Sequence, residues 1–171
     1  MKLTNREVAI FAVLGTIMCT TKVIMQAIPN VHLLGVFVVA FTVVYRKKAL
    51  IPIYLYVFAN GLWVEGFDPF GWLPELYLWL ILWGMVMLLP KNMPRRVAPI
   101  VYMLVAGVHG LAFGTLYAPV YALFAGFGWD RVWMWIVAGL PFDIIHAVSN
   151  LILGSLIVPI TMLLRKLDKK T

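Results

Sequence analysis

The strongest constraint on this chain is an alternation: apolar stretches of roughly fifteen to thirty residues, the length range of membrane helices, punctuated by four short basic clusters. Lys2 and Arg6 open the chain. Arg46, Lys47 and Lys48 form the second cluster, Lys91, Arg95 and Arg96 the third, and Arg165, Lys166, Lys169 and Lys170 the last. In lipid every backbone N–H and C=O must find its partner within the protein, which leaves helices and closed barrels. Barrel strands would alternate in polarity over short segments, whereas these runs are continuous. With 63% of 171 residues hydrophobic and 12% charged, and a mean hydropathy of +0.95, the composition lies outside the soluble range. The predicted class is an all-α integral membrane protein, residues 1–171 forming one transmembrane domain.

Basic clusters remain on the cytoplasmic side of a membrane, so an even number of crossings should separate each neighbouring pair. Two crossings fit each interval. Their turning points fall at Ile28-Pro29-Asn30, between Glu65 and Pro74, and between Gly126 and Asp130. Six spans with both termini in the cytoplasm follow, in a multi-pass protein of the cell membrane. Spans two to four are expected to be short, at roughly 15 to 18 residues, and spans five and six to approach 30. Thr4-Asn5-Arg6-Glu7 has the spacing of a capping box, which starts the first helix just after Thr4. The first apolar run lacks a small-residue cleavage site and reads as a mature span.

The net charge of +7 is accounted for by these juxtamembrane clusters, and a nucleic-acid partner is not expected. Cys19 is the single cysteine, which rules out an intrachain disulfide framework. No P-loop, HExxH, GxSxG or Asp-rich motif occurs, so neither an ATP site nor an enzyme is expected. His32, His109 and His146 have no diagnostic metal-ligand spacing, and no metal or resident cofactor is assigned.

Three groups of residues could carry a function. The first span presents Ala9, Ala12, Thr16 and Cys19 at three- and four-residue spacing, with Gly15 beside them. Ala106, Gly110 and Gly114 recur every fourth residue on the fifth span. Either stripe suits ordinary helix packing or docking of a partner subunit. Asp143, His146 and Asn150 share one face of the sixth span, with Pro141 expected to loosen the backbone before them. Buried ionisable groups of this kind serve as interhelical glue, ligand contacts or a proton relay. Lys22 and Gln26 face together near the outer end of the first span. The third group is an aromatic and acidic outer rim that includes Glu65, Asp68, Phe70 and Glu75, with Phe-Asp-Pro-Phe-Gly-Trp (67–72) resembling a lid; an interfacial aromatic belt is the plainer reading.

Size, six spans, internal termini, the stripe on the first span and the Pro29-Asn30-Val31-His32 loop followed by Leu33-Leu34-Gly35-Val36-Phe37 together resemble the substrate-binding S components of energy-coupling factor vitamin transporters. The family's Ala-x-x-x-Ala docking motif has its nearest match in Ala12-x-x-x-Thr16, beside Ala9-x-x-x-Val13. The stretches from Tyr45 to Tyr54 and from Asp68 to Trp83 are most similar to the cobalamin-type members. The resemblance implies capture of a vitamin from outside and docking, through Ala9, Ala12, Gly15, Thr16 and Cys19, on a T component that works with two ATPase subunits. It implies a substrate site at Asn30, His32, Phe67, Trp72, Tyr77, Tyr117, Tyr121, Trp133, Asp143, His146 and Asn150. Cobalamin or a related corrinoid is the expected ligand; thiamin, riboflavin or pyridoxine would suit the same residue types. A structural scaffold of the membrane, without a ligand, is the alternative from another class.

Overall fold

A computed structural model describes residues 3–168, and these residues form helices and their connections with no strand among them. The elements are α1 (Asn5–Met25), α2 (Leu34–Tyr45), α3 (Leu50–Asn60), α4 (Trp72–Met87), α5 (Ala98–Leu111), α6 (Phe113–Ala125), α7 (Trp129–Leu153) and α8 (Ile157–Asp168). Short 3₁₀ turns join α2 to α3 and α7 to α8, and a π-helical turn, Gly61–Glu65, extends α3. Three helical stretches are long and apolar enough to cross a membrane: Asn5–Met25, Ala98–Ala125 and Trp129–Asp168; Trp72–Met87 is a shorter apolar helix.

The first helix starts where the sequence places it. The Thr4 hydroxyl accepts from the Glu7 N–H at 3.2 Å, and the Glu7 carboxylate accepts from the Thr4 N–H at 3.0 Å. Two of the donors that a helix start leaves free are thereby satisfied.

At the centre lies α2, apolar on every side, with ten of its twelve residues buried. A helix that is hydrophobic all round belongs in a core. It packs on α4 and α8 most extensively, with α1, α5 and α7 also against it. Twelve residues rise only about 18 Å, less than the 15 to 18 residues expected of that span would reach. The protein around α2 removes the need for it to cross the hydrocarbon alone.

The described members of the four basic clusters come to one end of the molecule. The Arg6 guanidinium donates to the Leu167 carbonyl, and Lys48 pairs with Glu7. Arg46, at φ 52°, turns the chain between α2 and α3 and donates to the Met87 carbonyl at the C-terminal end of α4 at 2.8 Å. A cation is favoured there by the helix dipole. Trp83 Nε1 donates to the Arg46 carbonyl at 3.1 Å, closing the same clamp.

The tightest seam joins α5 to α7, and glycines permit it. A Cβ on Gly110 would lie 2.8 Å from Asn150 Nδ2 and 3.1 Å from the Ala147 amide nitrogen; one on Gly107 would meet Leu151 at 2.9 Å. Small residues let helix backbones approach this closely. The helix break falls elsewhere than expected: α7 runs through Pro141 uninterrupted, whereas the long helical stretch 98–125 divides at Ala112 between α5 and α6.

Candidate ligand-binding site

At the end opposite the basic clusters, the chain from Gly66 to Trp72 folds down over the bundle. Gly66 and Phe67 both adopt left-handed backbone, at φ 62° and 55°. For the non-glycine residue this costs roughly 1 to 2 kcal/mol, offset by its contacts. The Phe67 N–H donates to the Gly61 carbonyl at 2.8 Å, and its ring meets Trp72 edge-on at 4.8 Å. The Trp72 indole N–H donates to the Val57 carbonyl at 2.9 Å. Asp68 accepts from the Gly71 N–H at 2.8 Å, using its short side chain to start α4.

A second group locks this loop to α6. The Tyr117 hydroxyl donates to the Gly71 carbonyl at 3.0 Å, and the Tyr77 hydroxyl to the Leu116 carbonyl at 2.6 Å. Phe70 packs on Tyr121 at 5.1 Å, and Tyr121 stacks on Trp135 at 4.6 Å. Phe67 and Trp72, and Phe70, Tyr121 and Trp135, are thus joined ring to ring in a held cover, whereas Trp63, Trp129 and Trp133 stand exposed.

One to two helical turns beneath it lies a polar aromatic chamber whose rings are packed against one another. His32 meets His146 edge-on with centroids 4.7 Å apart, and His146 meets Phe113 at 4.6 Å. Trp79 lies 5.8 Å from His109, 6.0 Å from Phe113 and 6.1 Å from His32. Phe113 continues upward to Tyr117 at 5.1 Å, joining chamber to cover. Four parts of the chain therefore converge: the loop before α2 with His32, α4 with Trp79, the α5–α6 region with His109 and Phe113, and α7 with His146.

The walls differ in how they are satisfied. Glu75 is buried, and both its oxygens are occupied: the Tyr56 hydroxyl donates to Oε1 at 2.9 Å and Asn60 Nδ2 to Oε2 at 3.2 Å. His109 Nε2 lies 3.0 Å from the Leu78 carbonyl. By contrast Nδ1 of His32, Nδ1 of His109, both ring nitrogens of His146 and the Trp79 indole nitrogen are enclosed with no hydrogen-bond partner in the protein. Leaving a buried polar atom unpaired costs about 1 to 3 kcal/mol, and native interiors rarely concentrate such atoms. Lys22 lies in the last turn of α1. Burial, then the neighbouring His146 and Lys22, holds the loop residue His32 well below the usual imidazole range, so its ring is neutral and can both donate and accept.

Asp143 and Asn150, which share this face of α7, each make one hydrogen bond, while Asp143 Oδ2, Asn150 Oδ1 and the neighbouring Ser149 hydroxyl are enclosed without a partner. Asp143 Oδ1 accepts from the Gly114 N–H at 2.9 Å. That N–H lies in the first turn of α6, where the break at Ala112 frees backbone donors; the carboxylate caps the restarted helix. Asn150, fully buried, donates to the Ala106 carbonyl at 3.0 Å, and its side-chain amide lies close under Gly35 of α2.

The residues that the resemblance implies therefore fall into separate places. Phe67, Trp72, Tyr77, Tyr117 and Tyr121 build the cover; His32 and His146 line the chamber; Asp143 and Asn150 are engaged in helix-to-helix bonds. Asn30 supplies a left-handed turn at φ 60°, a conformation asparagine tolerates well. Trp133 stands two-thirds exposed, away from these rings. Missing from the expected set are Tyr56 and Asn60, Glu75 and Trp79, and His109 and Phe113. Tyr56 and Asn60, and Glu75 and Trp79, are spaced i, i+4 on apolar helices, a signal that brings Glu75 beyond the outer rim where the sequence places it, whereas His109, a candidate partner of the α7 polar face by sequence, and Phe113 straddle the break at Ala112.

Of the first stripe, Ala9, Ala12 and Thr16 are exposed, Gly15 is buried and Cys19 is half-buried. A Cβ on Gly15 would lie 3.0 Å from that of Leu55, on α3. The described residues contain no group of three or more His, Cys, Asp or Glu able to hold a metal ion. Comparison with protein-family models, curated proteins and solved structures finds no match for this chain.

Proposed function

We propose that this chain is the substrate-binding membrane subunit of an energy-coupling factor vitamin importer, crossing the cell membrane six times with both termini inside. One observation carries the reading: the unpartnered ring nitrogens of His32, His109, His146 and Trp79, enclosed among aromatic faces beneath a held cover. Such a chamber suits an aromatic heterocycle that both stacks and hydrogen-bonds. The gathering of the described basic residues of each cluster at the opposite end fits a capture side outside and a docking side within. The exposed Ala9, Ala12 and Thr16 fit a surface for a T component, and the lack of a P-loop fits a subunit whose ATP is used by two partner ATPases.

By resemblance the first candidate substrate is cobalamin or a related corrinoid, delivered chemically unchanged. A smaller vitamin such as thiamin, riboflavin or pyridoxine is favoured by one specific observation. The rings around His146 stand only 4.6 to 4.7 Å apart, so a corrinoid requires the cover and α6 to move well aside, whereas a single heterocycle requires a smaller opening.

The test is calorimetric titration of the detergent-purified chain with cobalamin, cobinamide, thiamin, riboflavin and pyridoxine. A submicromolar ligand is expected. His146→Ala should weaken it about tenfold to a hundredfold, the loss of one or two buried hydrogen bonds to the ligand, while the unfolding midpoint stays near wild type. Silence across the panel from folded protein, or a His146→Ala variant that only fails to assemble, would favour the membrane-scaffold reading.

A further inference from the structure

At the basic end, a cleft of about 440 Å³ opens between the end of α2, the connection 88–97, the first turns of α5 and the face of α8. Its wall is largely apolar, with Val43, Met93, Val158 and Met162 among the lining side chains; Lys91, Arg95 and Arg165 supply its positive charge. No acidic residue lines it. Among the described residues no carboxylate lies within ion-pair distance of Lys91, Arg95 or Arg165. The α5 N-terminus beside it has no side-chain cap and no acidic residue in its first turn, which adds the positive end of a helix dipole to the same corner. Of the polar side chains in the wall besides the cations, Thr161 is already committed to the Ile157 carbonyl at 2.7 Å, while Asn92 and Tyr102 also line it.

We propose that this cleft is a binding site for an anionic glycerophospholipid of the inner leaflet, its phosphate held by Lys91, Arg95 and Arg165 and an acyl chain laid against Val43, Val158 and Met162. The charge pattern selects an anion, and the apolar wall selects one that carries hydrocarbon. A free phosphate would leave that wall against water; a neutral lipid would leave three cations unmatched. Basic pockets between membrane helices near the cytoplasmic surface have the geometry for anionic headgroups. The inference rests on membrane embedding with the basic end at the cytoplasmic face, as proposed above, and holds whether or not the chain imports a vitamin.

The test uses the full chain, delipidated in neutral detergent and titrated with phosphatidylglycerol or phosphatidylcholine while bound lipid is counted by native mass spectrometry. Saturable binding of one phosphatidylglycerol is expected, with phosphatidylcholine far weaker. Arg95→Gln combined with Arg165→Gln should weaken it about thirtyfold at low salt, as two basic groups at an anionic surface imply. Both side chains are exposed, so folding should be retained. Met162→Trp, which fills the cleft without changing charge, should also weaken binding. Lys47→Gln combined with Arg96→Gln removes equal charge from residues outside the cleft lining and should leave it near wild type. Equal losses in the two charge variants would reduce the effect to general surface attraction and overturn the site. Equal binding of both lipids, or full competition by glycerol phosphate, would overturn the lipid assignment.

Discussion

Two stripes of small residues, nearly alike in sequence, have opposite fates in this molecule. On α5 the stripe is consumed: Ala106, Gly107 and Gly110 are buried, and α7 lies so close that added Cβ atoms would meet Leu151, Asn150 and the α7 backbone at 2.8 to 3.1 Å. On α1 the stripe is divided. Gly15 turns inward to α3, while Ala9, Ala12 and Thr16 face outward, the Thr16 hydroxyl bonded back to the Ala12 carbonyl at 2.9 Å. A small-residue repeat therefore marks a surface fit for close approach, without saying whether the neighbour belongs to the same chain.

The sharpest way to test that contrast is to add bulk to each stripe. Gly110→Val places new methyl groups against Asn150 and the α7 backbone, neither of which can move aside. The expected loss is about 3 kcal/mol, the upper end for overpacking, read as a large drop in the unfolding midpoint and aggregated material on gel filtration. A near-normal midpoint would show that the α5–α7 seam is looser than described. Ala12→Trp adds more volume on the outward face, yet stability should change by no more than about 0.5 kcal/mol, as at an unengaged surface. Under the importer reading vitamin uptake by cells should be abolished while ligand binding to the purified chain persists. If binding and folding fail together, the outward face is structural and the contrast collapses. Within α1 itself, Gly15→Ala should cost roughly 1 kcal/mol through its contact with Leu55, and Thr16→Ala only a few tenths; equal midpoints for the two variants would erase the inward–outward division.

A similar division separates the polar residues of α7. Asp143, His146 and Asn150 share a face in the sequence, but only His146 has both its side-chain polar atoms unpartnered, whereas Asp143 and Asn150 each bond through one atom and leave one oxygen free. Asp143 answers a backbone break 29 residues earlier in the chain, and Asn150 bridges to α5 across 44 residues. The break at Ala112 had no proline or glycine at that position to announce it. Pro141, which did look like a break, is accommodated in an unbroken helix.

The sequence by itself determined what local chemistry can encode. Continuous apolar runs required helices, since an unpaired backbone is intolerable in lipid. The Thr4–Glu7 capping box set the start of α1, and i, i+4 spacing told which side chains share a helix face. Tertiary structure alone decided which faces meet. The convergence of His32, Trp79, His109 and His146, the partnering of Asp143 with a backbone amide, and the fate of each small-residue stripe all depend on contacts between elements distant in the chain. Helical periodicity fixes the direction of a side chain about its own axis; only the packing of one helix against another fixes what that side chain finds there.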